Sequence, residues 1–160
     1  MAIINVSAGS EAVLHLSATS AAEANVSANA LVVPSMQDIT INNTTGVFRF
    51  KTLDSTSEKA VTTPATNQLS LNCIVDDTAF FGTGTGGDDD AKENGLFGVS
   101  KNKTKVFFSV YFNGTDTGSK FLQGSGFVSG LAPTVNMDSP VWVTPVTIEV
   151  DGDYTEHAVP

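Results

Sequence analysis

The stretch KVFFSVYFNGTDTGSKFLQGSGFVSGL (residues 105–131) contains two apolar segments joined by a short polar one. In Lys105–Phe112 both alternating sets of positions are largely apolar, which is typical of a strand with neighbours on each side. The polar linker offers Asn113–Gly114 and Gly118, which readily adopt the positive φ of a tight turn. The sequence therefore predicts a β-hairpin between Lys105–Phe112 and Phe121–Leu131.

Other parts of the chain show the same strand character. In QLSLNCIV, Leu69, Leu71 and Cys73 alternate with polar residues, which is the period-two pattern of a half-buried strand. This strand is predicted at Gln68–Val75, and the remaining predicted strands are Ala12–Leu16, Ala30–Val33, Asp38–Ile41, Val47–Phe50 and Val141–Val150.

A single short helix is predicted, at Asp90–Phe97. Residues 18–30 are rich in alanine, but they lack an apolar stripe and contain Ser, Thr and Asn, which favour turns. We therefore expect that segment to be extended or a loop.

The glycine-rich stretch GTGTGGDDDAKENG (82–95) matches the letters of a dinucleotide-binding fingerprint. Three aspartates occupy the place where the pyrophosphate would lie, and no amphipathic helix of a βαβ unit follows. An EF-hand calcium loop needs alternating ligands and a distant Glu, which are absent here. The stretch is better read as a flexible connection whose aspartates cap the short helix.

Composition excludes several classes of function. The 160 residues suffice for one domain (1–160), and 17 acidic against 8 basic residues give a net charge of −9. This charge argues against direct binding to nucleic acid or to an anionic membrane. Residues 121–160 contain no Lys or Arg, so the charged side chains of the C-terminal quarter are acidic.

Residues with catalytic potential are isolated from one another. His15 and His157 each stand alone, and His157 lies in a C-terminal tail (155–160) that we expect to be mobile. Asp76–Asp77 is typical of a solvated turn, and Cys73 of a small buried residue. No metal site, cofactor or enzymatic activity is therefore predicted.

Lysines alternate at Lys101, Lys103 and Lys105, so they would project from one side of an extended segment. Two interpretations stay open: a solvated strand edge protected against aggregation, or a contact for an acidic neighbour in an assembly.

At this point the order of features resembles a known family, the major tail tube proteins of tailed bacteriophages. The resemblance rests on TPATNQLSLNCIVDDTAFF (63–81), on NKTKVFFSVYFNG (102–114) and on KFLQGSGFVSGLAPTVNMDSPVWVTPVTIEVDGDYT (120–155). It covers roughly residues 60–155, and the first 60 residues fit only in gross layout. It implies a mainly β fold, an antiparallel sandwich or barrel with one short helix, whose subunits form stacked hexameric rings.

The resemblance also implies a role and partners. Such a protein is a structural component of the virion tail, assembled in the host cytoplasm, and DNA passes through its tube without specific binding. Its partners would be other copies of itself, a tape-measure protein, and a tail terminator or baseplate protein.

Two sets of residues are candidates for this role. Glu149 and Asp151 lie on the polar side of the last strand, opposite Val146, Ile148 and Val150, and are candidate lumen residues. Residues 51–66 have too few apolar side chains to fold alone, so we expect an inter-subunit loop there. The candidate contacts between rings in it are Asp54, Ser57, Glu58 and Lys59.

The prolines of the last strand indicate a place at a subunit boundary. Pro140 and Pro145 flank or interrupt it, so part of its edge cannot pair in an ordinary ladder. Two other classes of function stay open: a binding or virion decoration module on a β-sandwich, and the related tube of a bacterial contractile injection system.

Overall fold

A computed structural model describes residues 12–25, 30–33, 35–84, 91–138 and 140–160. It is mainly β, with about half of the described residues in strands, which confirms the predicted class. The elements are β1 Val13–Ser17, α1 Ala21–Ala24, β2 Leu31–Val32, β3 Met36–Phe50, β4 Lys59–Ile74, α2 Asp77–Phe81, α3 Ala91–Asn102, β5 Lys105–Tyr111, β6 Lys120–Leu131, β7 Val143–Val150 and β8 Thr155–Ala158.

The described strands form one antiparallel sheet in the order β2-β1-β5-β6-β7-β4-β3, and β8 pairs with the start of β6. The predicted hairpin is confirmed: β5 pairs with β6 from Lys105 opposite Phe127 to Tyr111 opposite Phe121. Residues of β1 and β2 line the same groove as residues of β3. The two ends of the sheet therefore approach each other, and the sheet curls into an open barrel.

The core lies on one face of this sheet. Alternate residues of the central strands, such as Leu14, Leu69, Phe108 and Ile148, are fully buried in a single cluster. Helices α2 and α3 cover that cluster with apolar side chains that include Phe80. The opposite face of the sheet carries mostly polar residues, as the period-two pattern predicts.

Two of the three described helices were not predicted. Asp76 caps helix α2, since its Oδ1 accepts hydrogen bonds from Thr78 N (3.1 Å) and Ala79 N (3.0 Å). The solvated turn expected at Asp76–Asp77 is therefore the start of a helix. Helix α1 contradicts the loop expected at 18–30. It is held by tertiary contacts, since Ala21 O accepts a hydrogen bond from Gln123 Nε2 at 2.7 Å.

The predicted helix at Asp90–Phe97 is longer than expected. Asp90 and the other aspartates of the glycine-rich stretch lie outside the described residues, while α3 continues to Asn102. Gly95 interrupts it with φ 67° and ψ 179°. A side chain at Gly95 would meet the backbone of Phe80, so the kink lets α3 approach α2 closely.

The C-terminal segment 155–160 is not the mobile tail that we expected. Residues Thr155–Ala158 form β8, and Lys120 Nζ lies 2.9 Å from the Glu156 carboxylate. The imidazole of His157 stacks on Phe121 with ring centroids 5.4 Å apart. The first half of β6 pairs with β5 along one edge, while β7 reaches β6 only from Gly126 onward. The other edge is therefore open there, and the C-terminus adds a strand to it.

Strand β7 is not at a boundary either, since it lies between β4 and β6. Val143 exchanges both backbone hydrogen bonds with Thr134 of the segment after β6. In a strand the backbone nitrogens of every second residue face the same neighbour, so the nitrogen of Pro145 also faces the β6 side of β7. The β6–β7 ladder is interrupted there, and Ala132 N donates instead to Thr144 Oγ1 at 3.3 Å. The proline thus occupies a gap inside the sheet.

Residues 51–66 are a loop only in part. Residues 59–66 belong to β4 and pair with β3, so the two strands continue beyond the sheet as a two-stranded ribbon, here called the arm (residues 43–66). Side chains on both faces of the arm are mostly exposed. A bulge places Gly46 opposite two residues, Thr63 and Pro64, where the missing N–H of proline costs no ladder hydrogen bond.

The division between body and arm predicts unequal costs of truncation along β4. Leu69→Ala removes a fully buried side chain and should lower the free energy of unfolding by about 2–5 kcal/mol. Val61→Ala on the exposed arm should lower it by less than about 1 kcal/mol. Urea unfolding of the two variants, followed by circular dichroism, measures both. Equal losses would mean that the arm is part of the cooperative core.

Candidate functional site

The described part of the chain contains no assembly of catalytic or metal-binding groups. No cluster of three His, Cys, Asp or Glu side chains there could hold a metal ion. His15 is buried, and its Nδ1 lies 3.1 Å from Ala24 O. Cys73 is buried as expected, and burial raises the pKa of its thiol. No helix among the described residues is long and apolar enough to cross a bilayer.

One face of the arm carries most of its exposed apolar side chains, with Lys59 at the outer edge of that face, opposite Phe50. Directly opposed residues of an antiparallel pair point to the same side, so Phe48 and Val61 share a face with Phe50. The rings of Phe48 and Phe50 stack with centroids 6.1 Å apart. Phe48 is 62% exposed and Val61 is 53% exposed. An aromatic surface of this kind, carried away from the core, indicates a contact with another molecule.

The four residues proposed from the sequence lie at the end of this arm. Asp54, Ser57, Glu58 and Lys59 are all exposed. Ser57 N donates to Ser55 Oγ at 3.2 Å, which fixes the local shape of the connection between β3 and β4. The apolar side chains beside them were not predicted as a surface, although Phe48 and Phe50 are two positions apart in the sequence and would share a face of a strand.

The root of the arm is fixed to the C-terminal part of the chain. Asn67 Nδ2 donates to Gly152 O at 2.8 Å. The hydroxyl of Tyr154 lies 3.0 Å from Asn42 O on β3 and 3.1 Å from Gln68 O on β4, just before the two strands continue into the arm. Burial raises the pKa of Tyr154, so this phenol stays a neutral donor. These contacts join residues 85 to 112 positions apart, and no sequence signal pointed to them.

The second candidate surface is the sheet face opposite the core, here called the polar face. Across its middle, Lys105, Phe127, Glu149, Gln68 and Asn42 form a row on five adjacent strands. Glu149 is exposed there and its Oε1 accepts a hydrogen bond from Gln68 Nε2 at 2.6 Å. The alternation expected along β7 is present, with Val146 and Ile148 buried on the other side.

The other candidate lumen residue, Asp151, was expected to have no cation beside it, because no Lys or Arg follows Lys120, and this expectation is wrong. Lys105 Nζ lies 2.8 Å from its Oδ2, and both side chains are about half exposed. The absence of cations after Lys120 therefore does not leave this carboxylate unpaired. The three alternating lysines do not share one extended segment, because Lys101 lies in the last turn of α3 and Lys103 has φ 55°. Lys105 pairs with an acid of its own subunit, so the contact with an acidic neighbour in an assembly stays a prediction.

A third surface lies at the other end of the sheet from the arm. The connection between β6 and β7, here called the base loop, comprises residues 132–138 and 140–142. Trp142, predicted to lie in the last strand, is instead in this loop and 52% exposed, and Met137 is 99% exposed. Val135 and Val141 are also exposed. Val75 N donates to Trp142 O at 2.8 Å, which fixes the end of the loop against the body.

An open groove of about 1030 Å³ lies where the two ends of the sheet approach each other. Its lining is largely apolar, with Asp38 as its charged residue among Val32, Met36, Ile39 and Phe112. It therefore offers a contact surface, and it holds no constellation of acid, base and nucleophile.

Comparison of sequences gave no relative: no protein-family model and no curated protein matches the chain. Solved structures do match its fold. The tail of the empty gene transfer agent particle, with C6 symmetry, has a TM-score of 0.65 at 9% identity and covers 96% of this chain and 100% of its own. The SPP1 tail tube has a TM-score of 0.65 at 11% identity and covers 96% and 80%.

A further match is the virion of the native gene transfer agent, with a TM-score of 0.62 at 11% identity. It covers 96% of this chain and 100% of its own. At such low identity these likenesses establish a shared fold. The resemblance to tail tube proteins, stated above from the sequence, is confirmed at that level.

The buried imidazole predicts a pH dependence. Burial lowers the pKa of His15 below 6.5, so the unfolded chain binds a proton that the folded chain does not, and stability falls as pH drops through about 6.5. We expect His15→Phe to flatten the dependence of the free energy of unfolding between about pH 7.5 and 5.5. Thr62→Ser, which changes an exposed residue of the arm and no titratable group, is the control and should leave the slope unchanged. An unaltered slope in His15→Phe would contradict the assignment.

Proposed function

We propose that this chain is a structural subunit of a phage-type tail tube, which self-assembles into hexameric rings that stack around a channel for DNA. The observation that carries the proposal is the fold shared along nearly the whole chain with a gene transfer agent tail and the SPP1 tail tube. Assembly also gives a purpose to two surfaces that the single subunit leaves exposed, the arm and the base loop.

In the proposed tube the arm makes the contact between rings. The rings of Phe48 and Phe50 are already stacked, and Phe48 and Val61 are more than half exposed in the part of the subunit that the structure describes. Covering this face of the arm removes apolar area from water, which favours association by roughly 25 cal/mol per Å². The polar residues Asp54, Ser57, Glu58 and Lys59 at its end would form the rim of the contact, where water remains.

The polar face is proposed to line the channel. Its described charged residues are Asp38, Glu149, Asp151 and Lys105, which leaves it net negative. DNA binds proteins largely through cations that neutralise its phosphates and release counterions. A face rich in Ser, Thr, Asn and Gln, with a small excess of carboxylates, gives the DNA nothing to bind.

The remaining parts of the proposal concern location and partners. The protein would reside in the virion tail after assembly in the host cytoplasm. Besides its own copies, its partners would be a tape-measure protein along the channel and a terminator or baseplate protein at the ends. No catalytic activity and no cofactor is part of the proposal.

Shortening the arm tests the assembly. Replacing residues 46–64 with Asn-Gly joins Thr45 to Ala65, which already oppose each other, through a two-residue hairpin turn. We expect a folded subunit, with the circular dichroism of the parent body, that forms no tubes in negative-stain images of protein at assembly concentration. The unmodified chain should form stacked rings, whereas discrete small particles would indicate a binding or decoration module instead. Tubes of normal length from the shortened chain would place the contact elsewhere.

Reversal of charge tests the channel wall. Glu149→Lys combined with Asp151→Lys should leave ring assembly intact but slow DNA release from virions, with the defect easing at higher salt as attraction is screened. The control, Asp116→Lys combined with Thr117→Lys, adds two lysines at exposed positions of the β5–β6 turn, away from the polar face, the arm and the base loop. Normal release kinetics at low salt from the first pair would show that this face does not meet DNA.

A further inference from the structure

We propose that the base loop is the docking site for the arm of a second copy of this chain in the neighbouring ring. This inference rests on the proposed tube and goes beyond it by naming the surface that receives the arm. It follows from where the two surfaces lie, from their side chains and from their charges.

The two surfaces lie at opposite ends of the molecule. Strand β4 runs from Lys59, near the end of the arm, to Ile74, which pairs with Val143 directly after the base loop. At about 3.3 Å per residue, these 16 residues separate the two surfaces by about 50 Å. The arm of a subunit therefore points away from its own base loop, and each can meet only the other's counterpart on a different copy.

The side chains on the two surfaces are complementary in kind. The arm presents Phe48 and Val61 on one face, and the base loop presents Met137 and Trp142. Thioether sulfur and aromatic rings pack favourably on other aromatic rings. Exposed apolar groups concentrated at both ends of the strand axis are what a repeated contact along that axis requires.

The charges of the arm and of the base end are also complementary. The arm holds three of the chain's eight basic residues, Arg49, Lys51 and Lys59, against two acids, Asp54 and Glu58. The base end holds Asp138 within the loop, and Asp76 and Asp77 follow the residue that bonds to Trp142. Lys92 lines a shallow depression with Asp76 and is the described cation there. The basic arm therefore fits the more acidic base end, which favours this pairing over arm to arm.

A contact between unlike ends is heterologous, and its geometry sets the product. An isologous contact of arm with arm would close after two rings, whereas an arm-to-base contact leaves a free arm and a free base on every stack. Repetition of this single contact generates a tube of unlimited length, which the proposed function requires.

Mixing two variants tests the pairing. Phe48→Ser damages the arm and keeps the base loop, while Trp142→Ser damages the base loop and keeps the arm. Each variant alone should lose tubes by at least about tenfold. A mixture of separately purified variants should form particles of two layers and no longer, because one arm-to-base contact can form and the next cannot. Electron microscopy and analytical ultracentrifugation distinguish the three products.

Matched changes control for general effects. Thr62→Ser lies on the other face of the arm, and Phe127→Ser removes an exposed aromatic from the middle of the polar face; both should leave stacking intact. Met137→Ser repeats the test of the base loop at a fully exposed position, where folding is not affected. Circular dichroism checks the fold of each variant.

The outcomes separate the two levels of the argument. Wild-type protein that forms no tubes overturns the proposed function and this inference with it. If wild-type protein forms tubes, stacking by either single variant at the wild-type level overturns this inference alone. So does loss of stacking by both variants without two-layer particles in their mixture, because arm and base loop would then act at different contacts.

Discussion

The structure of this molecule depends on strand β4, which has a neighbour on each side along one half and a single neighbour along the other. From Gln68 to Ile74 the strand lies between β7 and β3, with every second side chain in the core. From Lys59 to Thr66 it pairs with β3 alone and is exposed on both faces. One uninterrupted backbone thus belongs first to a cooperative core and then to a free ribbon. The position and direction of the arm are fixed by the burial of the other half of the same strand.

The polar face carries few charges, yet hydrogen bonds and an ion pair hold its charged side chains in fixed positions. The carboxylate of Glu149 is bonded to Gln68, that of Asp38 to Asn72, and that of Asp151 to Lys105. Such pairs hold side chains down on the sheet, and an exposed ion pair adds little stability of its own. The result is an ordered and weakly negative surface. Its character depends on contacts between strands more than on the count of acids in the sequence.

Sequence reasoning succeeded where structure is decided locally and failed where it depends on distant partners. The β5–β6 hairpin was predictable because its apolar alternation and its turn lie within one stretch of 27 residues. Residues 51–66 of the arm were predicted to be a loop, because a polar strand such as residues 59–66 is recognisable only from its pairing with β3. Helix α1 and β8 escaped for the same reason, since each is held by side chains or edges far away in the chain.

The candidate sites followed the same rule. Exposure of Glu149 and of the end of the arm was predictable, because alternation and composition determine it. The partner of Asp151 was not, because Lys105 lies 46 positions away. The fastening of the arm by Tyr154 and Asn67 was equally invisible, since a tyrosine near a C-terminus has no distinctive pattern.

The slenderness of the arm has a mechanical consequence. It is two strands wide, and the bulge at Gly46 and Pro64 interrupts its ladder midway. A ribbon of this kind bends far more easily than the barrel behind it, whose side chains are tightly packed. In a tube joined ring to ring by such ribbons, curvature is taken up at the joints while each ring keeps its shape. A long tail could then sway under load without narrowing its bore.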